Sequence, residues 1–176
     1  MSLIIRPYAD PADRPAMIAL YRAAWHAAYD AIDGAPAIDR LIENLVQGDP
    51  PEMFAWAAGD IALVAERDSR IVGGARAHPR GDGVHLSGMY VMPDLVARGI
   101  GGALIAASLA QFPAATIWRA YVRPTSAAAL RLYARHEFRE VGRGRADVGG
   151  GHWVDMIELR RGGGRATNSM GSTPLP

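Results

Sequence analysis

The chain has 176 residues, a formal net charge of +1, 49% hydrophobic residues and no cysteine. That length suits one domain with a sizeable core. The near-neutral charge makes no electrostatic case for a nucleic-acid or membrane-surface partner, and the lack of Cys excludes disulfides, thiolate metal sites and Cys nucleophiles. All 19 cations are Arg, which we read as coding bias. No apolar run reaches membrane-spanning length and residues 1–30 lack a basic start followed by an apolar stretch, so a soluble cytoplasmic protein is the expectation.

In chain order, residues 3–7 read as an opening strand. Asp10-Pro11-Ala12-Asp13 then reads as a helix start, with Asp10 as N-cap and Pro11 in the first turn. Met17, Leu20, Tyr21, Ala24, Trp25, Ala28 and Tyr29 follow at three- and four-residue steps, giving one apolar helix face to about Ala31. A second amphipathic helix spans 38–47 and is broken by Asp49-Pro50-Pro51. Strands at 61–67 and 70–77 flank Asp68-Ser69 as a hairpin. A loop at 79–83 leads to a strand at 84–91, ended by Met92-Pro93. A helix at 101–112, a strand at 115–122, a helix at 126–136 and strands at 138–146 and 152–160 complete the domain, taken as 1–161. Residues 162–176 have no apolar period and are expected to be a disordered tail. This order belongs to mixed α/β proteins with helices on both faces of the sheet.

The segment from Val84 to Leu109 carries the functional signal. A strand enters a loop holding Gly99, Gly101 and Gly102, and the loop opens a helix. Free N–H groups at the positive end of a helix dipole, approachable because the loop is glycine-rich, make a seat for phosphate. Arg98 adds a cation at the mouth. A dinucleotide loop is a poor match: Leu104 stands where the third glycine belongs, the loop lies mid-chain, and Trp118, Arg119 and Tyr121 stand where a ribose-binding acid is expected. A Walker loop needs a Lys, and there is none. The ligand expected from these residues carries phosphates; a glycine-rich turn that merely reverses the chain is the structural alternative.

MYVMPDLVARGIGGALI resembles motif A of the GNAT acetyltransferases, and VRPTSAAALRLYARHEF resembles their motif B, Asn-x-x-Ala-x-x-Leu-Tyr-x-x-x-Gly-Phe. AERDSRIVGGARA is similar to the family's second and third strands, and RAAWHAAYDAI to its acceptor-side helix; the resemblance covers about residues 3–160. Three positions depart from the pattern: Val96 replaces a leading Gln/Arg, Ser126 replaces the motif B Asn while remaining able to cap a helix, and Glu137 replaces the Gly before Phe138.

The resemblance implies the GNAT acyl-CoA N-acyltransferase fold, a mostly antiparallel sheet whose fourth and fifth strands splay, with helices on both faces. It implies acetyl-CoA as co-substrate, with the pantetheine bonded by main-chain groups of Met89, Tyr90 and Val91. The pyrophosphate would be held by the amides of Ala97, Arg98, Gly99, Ile100, Gly101 and Gly102, and Ser126 would also lie at the cofactor. Tyr133 matches the motif B tyrosine that protonates the CoA thiolate after direct attack by an amine; packing against Leu130 and Ala134 is its structural alternative. No carboxylate stands on the fourth or fifth strand. His85 occupies one position where relatives place a base, and Tyr121 another, the latter as a pocket wall or water relay. Trp25, Tyr29 and Asp30 are acceptor-side candidates, with Trp56 and His152 as further walls; an aromatic stripe at helical spacing is also ordinary core, and Asp30 and Asp33, which could favour a cationic acceptor, read rather as solvated helix-end charges. The implied partner is a small-molecule or peptide amine, with no nucleic acid and no membrane, and a homodimer stays open because dimers are frequent among relatives. A module that binds acyl-CoA without turnover is the competing reading, and a nucleotide-binding regulator a third.

Overall fold

The computed structural model describes residues 2–47, 52–148 and 151–163. Seven strands form one sheet in the order β1-β2-β3-β4-β5-β7-β6. They are β1 (Ile4–Pro7), β2 (Ile61–Arg67), β3 (Arg70–Arg80), β4 (Gly83–Val91), β5 (Ile117–Val122), β6 (Arg139–Asp147) and β7 (Trp153–Gly162). Every pairing is antiparallel except β4 with β5. Helices α1 (Arg14–Asp33) and α2 (Ala35–Val46) cover one face, while α3 (Ile100–Gln111) and α4 (Ala127–Arg135) pack on the other.

Alternation along the strands explains the two cores. Val84 and Leu86 of β4 and Trp118, Ala120 and Val122 of β5 point to the α3/α4 side and are buried there with Ile100, Leu104 and Ile105. On the opposite face, Met17, Leu20, Tyr21, Ala24 and Trp25 lie one or two helical turns apart and bury the inner side of α1 against α2 and Val64. No helix among the described residues is long and apolar enough to cross a membrane.

Several element ends differ from the sequence reading, each for a local reason. Helix α1 starts at Arg14, with Asp13 rather than Asp10 in the N-cap position and a proline at N1/N2. Asp10 instead accepts from Tyr8 and Arg14, and Asp13 is drawn away from capping by Arg6 on β1, whose Nη2 reaches it at 2.9 Å. Helix α2 begins three residues earlier than expected because Gly34, at φ 83°, turns the chain and Pro36 starts the new helix at once. The expected loop at 79–83 shrinks to a tight turn, since β3 continues to Arg80 and β4 starts at Gly83. The Asp68-Ser69 hairpin is as expected: both residues have positive φ, matching the twist of the flanking strands. The break at 49–51 and the tail from 164 onward lie outside the described residues.

Candidate active site

Strands β4 and β5 meet only through Val84–Trp118 and His85–Arg119, and then part. A bulge drives the separation. Gly74 of β3 opposes Tyr90 while Arg76 opposes Ser87, so β4 carries one extra residue around Gly88 and Met89, with Gly88 at φ 55°. The Gly88 carbonyl accepts from the Tyr21 hydroxyl at 3.3 Å, tying the bulge to α1. Beyond it, the Met92 amide donates to Val72 at 2.9 Å, which fixes the hydrogen-bonding phase of the ladder. Alternation then turns the main-chain groups of Tyr90 towards β3 and those of Val91 and Met89 into the gap. Of the three residues expected to offer main-chain bonds there, Met89 and Val91 face the gap and Tyr90 faces β3.

The gap runs towards the start of α3. After a single 3₁₀ turn at Pro93–Leu95, Val96 is extended, Ala97 takes φ 65° and Gly99 takes φ 83°, and the first helical bond joins the Ala103 amide to the Gly99 carbonyl at 3.0 Å. The amides of Ile100, Gly101 and Gly102 therefore lack an intrahelical acceptor. Ala97, Arg98 and Gly99 are exposed, and space around Gly99 is open, so the turn is not plugged by side chains. Gly101 and Gly102 serve a second purpose that the sequence did not reveal. A Cβ at Gly101 would lie 2.7 Å from Leu132 Cδ2, and one at Gly102 3.2 Å from His136 Nε2, so both let α4 close against α3. Gly101→Val is expected to destabilise the fold by roughly 1–3 kcal/mol through overpacking, with Leu132→Ala on that background recovering part of the loss in thermal melts; an unchanged melting temperature for Gly101→Val would refute this contact.

Tyr133 sits on the inner side of α4, 5% exposed, its ring 5.1 Å from Phe138. Burial alone raises its pKa, so the phenol stays protonated well into the alkaline range. Tyr90, in the core on the opposite face, is also pushed up, by burial first and then by the phenols of Tyr29 and Tyr21. Ser126 occupies the N-cap of α4, but its side chain makes no cap bond; its carbonyl accepts from Leu130 at 3.0 Å. Glu137 explains the family's glycine at this point. It ends α4 at φ 65°, a left-handed turn that glycine enters at lower cost.

His85 stands where β4 and β5 part. Its Nδ1 lies 2.9 Å from His78 Nε2, and its ring stacks edge-on against Tyr121 at 4.9 Å. Burial, followed by the charges of His78 and nearby arginines, depresses its pKa to about 3. An imidazole held neutral so strongly is a weak proton acceptor at pH 7. Tyr121 is raised by burial first and then by Glu158, its cross-strand partner on β7. Glu158 is thus the carboxylate on this sheet face that a search of β4 and β5 alone misses.

Beside the open end of the gap lies a cavity of about 50 Å³ walled by Trp25, Tyr29, Tyr90, Val148, His152 and Met156, among others. Asp30 is not among its walls; it pairs with His26 at 2.8 Å on the outer side of α1. Trp56 is also elsewhere, under Arg76 with Tyr8 and Phe54. Asp33, expected to be a solvated helix-end charge, lines the cavity instead. Its side chain is 10% exposed and accepts two bonds from Arg123, which is itself 12% exposed and stacks over Tyr29 at 4.4 Å. The Arg123 hydrogen bond is the main reason the Asp33 pKa is lowered. Among the described residues, no group of three or more His, Asp or Glu could hold a metal ion.

The model of the acetyltransferase (GNAT) family matches residues 15–138. The fold is similar to that of the PaiA N-acetyltransferase from Thermoplasma acidophilum, solved in complex with coenzyme A: 18% identity over 92% of this chain and 99% of that one, TM-score 0.74. It is similar to the ribosomal-protein-S18-alanine N-acetyltransferase of Escherichia coli, at 18% identity over 96% and 99% and TM-score 0.65. The ribosomal-protein-alanine N-acetyltransferase of Brucella melitensis gives 26% identity over 90% and 99% and TM-score 0.63. A comparison with curated proteins gave no match.

Proposed function

We infer, on the premise that this chain belongs to the GNAT acetyltransferase family, that it transfers an acetyl group from acetyl-CoA to a primary amine by direct attack. The observation that carries this reading is the unpaired wedge between β4 and β5, which joins the open amides of α3 to an aromatic cavity. In this reading the amides from Ala97 to Gly102 hold the pyrophosphate, with Arg98 as an exposed cation beside it. Val91 and Met89 supply main-chain bonds along the pantetheine, and an N–H there polarises the acetyl carbonyl. The amine reaches that carbonyl from the side of Trp25 and Tyr29. Its nitrogen forms the C–N bond, the C–S bond breaks, and the Tyr133 phenol gives its proton to the leaving sulfur. Tyr121 and His85, both on the sheet face at the vertex, shape the floor of the wedge.

Val96 does not weaken the reading at the binding step. It is 51% exposed and extended, and the amides it precedes are oriented by Ala97, Gly99 and the helix rather than by a side chain at 96. A thiol-release assay with acetyl-CoA against an alanine-initiated peptide, a polyamine and an aromatic monoamine tests the proposal. Release with at least one of them, and calorimetric heat on titrating CoA alone, are expected. Heat without thiol release across the panel would support a binding module that has lost turnover, and no heat at millimolar CoA would end the proposal. The peptide is in the panel because two structural neighbours are named as alanine N-acetyltransferases.

A further inference from the structure

β4 and β5 carry no carboxylate to take the proton of the amine, His85 is held on His78 at 2.9 Å, and Glu158 of β7 faces Arg119 at 3.8 Å. We propose that His152, at the start of the segment leading into β7, takes the proton from the acceptor amine, with Asp33 holding it in place and Arg123 locking Asp33. This inference rests on the acetyl-transfer reading.

Four observations converge on it. His152 lines the aromatic cavity, and its main chain is fixed by the Val148 amide, which donates to the His152 carbonyl at 3.0 Å. Its Nε2 is buried without a hydrogen-bond partner, yet the side chain as a whole is 38% exposed, so the ring offers its remaining edge to solvent. Asp33 Oδ1 lies 3.8 Å from that Nε2, within ion-pair range and one small ring rotation from a hydrogen bond. Asp33 in turn cannot swing away, because both its oxygens accept from Arg123, which is pinned over Tyr29. A carboxylate facing Nε2 selects the neutral tautomer with the proton there and leaves Nδ1 as the acceptor, the arrangement in which a base is oriented by a third group. The charged and titratable groups that wall the cavity with His152 are Asp33 and Tyr29 from α1, Arg123 after β5 and Tyr90 from β4, while Asp147 of β6 accepts from the Gly151 amide; the residues lining the cavity from α2, Ile38 and Leu41, are apolar.

The proton balance closes. An ammonium R–NH3+ gives one proton to Nδ1 and becomes the nucleophile. After the C–N bond forms, the nitrogen loses its second proton by the same route, and Tyr133 supplies the proton on the departing sulfur and is recharged. One proton per turnover leaves to solvent.

With the panel amine that turns over fastest, His152→Gln should lower kcat/KM for that amine about 100-fold at pH 7, leave KM for acetyl-CoA unchanged, and regain about tenfold per pH unit as free amine accumulates. A His152→Gln profile that parallels wild type at every pH would overturn the assignment. Long-range 1H–15N spectra of the full chain supply a readout independent of turnover. Neutral His152 should carry its proton on Nε2, and Asp33→Asn should abolish that preference; an Nδ1–H tautomer in the wild-type protein would equally sink the proposal. If no amine releases thiol while CoA still binds, the transfer reading fails alone, and the tautomer still decides the orientation claimed for His152.

Discussion

Tyr133→Phe is expected to lower kcat about 100-fold at neutral pH, the usual effect of removing a positioned general acid, while KM for acetyl-CoA and the melting temperature stay close to wild type. The split follows from where the side chain sits. Its ring is core, 5% exposed and packed on Phe138, and phenylalanine keeps all of that surface buried. Only the hydroxyl is lost, and no side chain among the described residues is seen to hydrogen-bond it, so its removal breaks no internal bond. A protein that keeps its stability while losing turnover is the signature of a group kept for chemistry. Because burial raises the Tyr133 pKa, the protonated acid persists on the alkaline side, and loss of this acid should contribute no fall in rate below the ordinary tyrosine range. Steady-state kinetics with thiol detection, paired with thermal melts, check both halves. Full activity in the phenylalanine variant would return Tyr133 to a purely structural role.

The second large effect concerns stability. Asp33→Ala should cost roughly 3 kcal/mol, because it leaves the Arg123 guanidinium, 12% exposed, without its carboxylate. Urea unfolding measures it, and a loss under 1 kcal/mol would show that water or another carboxylate replaces Asp33. The double change Asp33→Ala with Arg123→Met should be less destabilised than Asp33→Ala alone, since an apolar pair carries no unpaired charge. The pH dependence has a definite sign. Arg123 lowers the folded-state pKa of Asp33 below the ordinary aspartate value of 3.8, so the pair's contribution is complete above that value and is lost as pH falls through the lower folded value. Wild type should therefore lose stability at acid pH more steeply than the Asp33→Ala variant.

Element identity and order were legible from periodicity and punctuation. The three-and-four spacing from Met17 to Tyr29 gave α1, and Asp68-Ser69 between two β-rich runs gave the β2–β3 hairpin. The glycine turn before α3 was legible because an unusual backbone path demands an unusual residue. Element ends were harder, since they depend on which partner captures a residue: Arg6 on β1, set opposite Val64, binds Asp13 and decides that Asp13 rather than Asp10 precedes α1. Reading Asp30 and Asp33 alike as helix-end charges missed the difference between them for the same reason: Asp30 meets His26, whereas Asp33 meets Arg123, ninety residues on.

By itself the sequence determined what local chemistry can encode: the βααβββαβαββ order, a glycine turn at the mouth of α3, a tyrosine on α4 and the absence of any Cys or Lys side chain. Only the tertiary structure decided what depends on groups distant along the chain. It showed that a bulge at Gly88 precedes the parting of β4 from β5, that Leu132 and His136 lie over Gly101 and Gly102, that His85 is held between His78 and Tyr121, and that Asp33, Arg123 and His152 meet at one cavity. Burial and charge pairing act through space, across separations such as the ninety residues from Asp33 to Arg123, and no pattern of spacing along the chain records them.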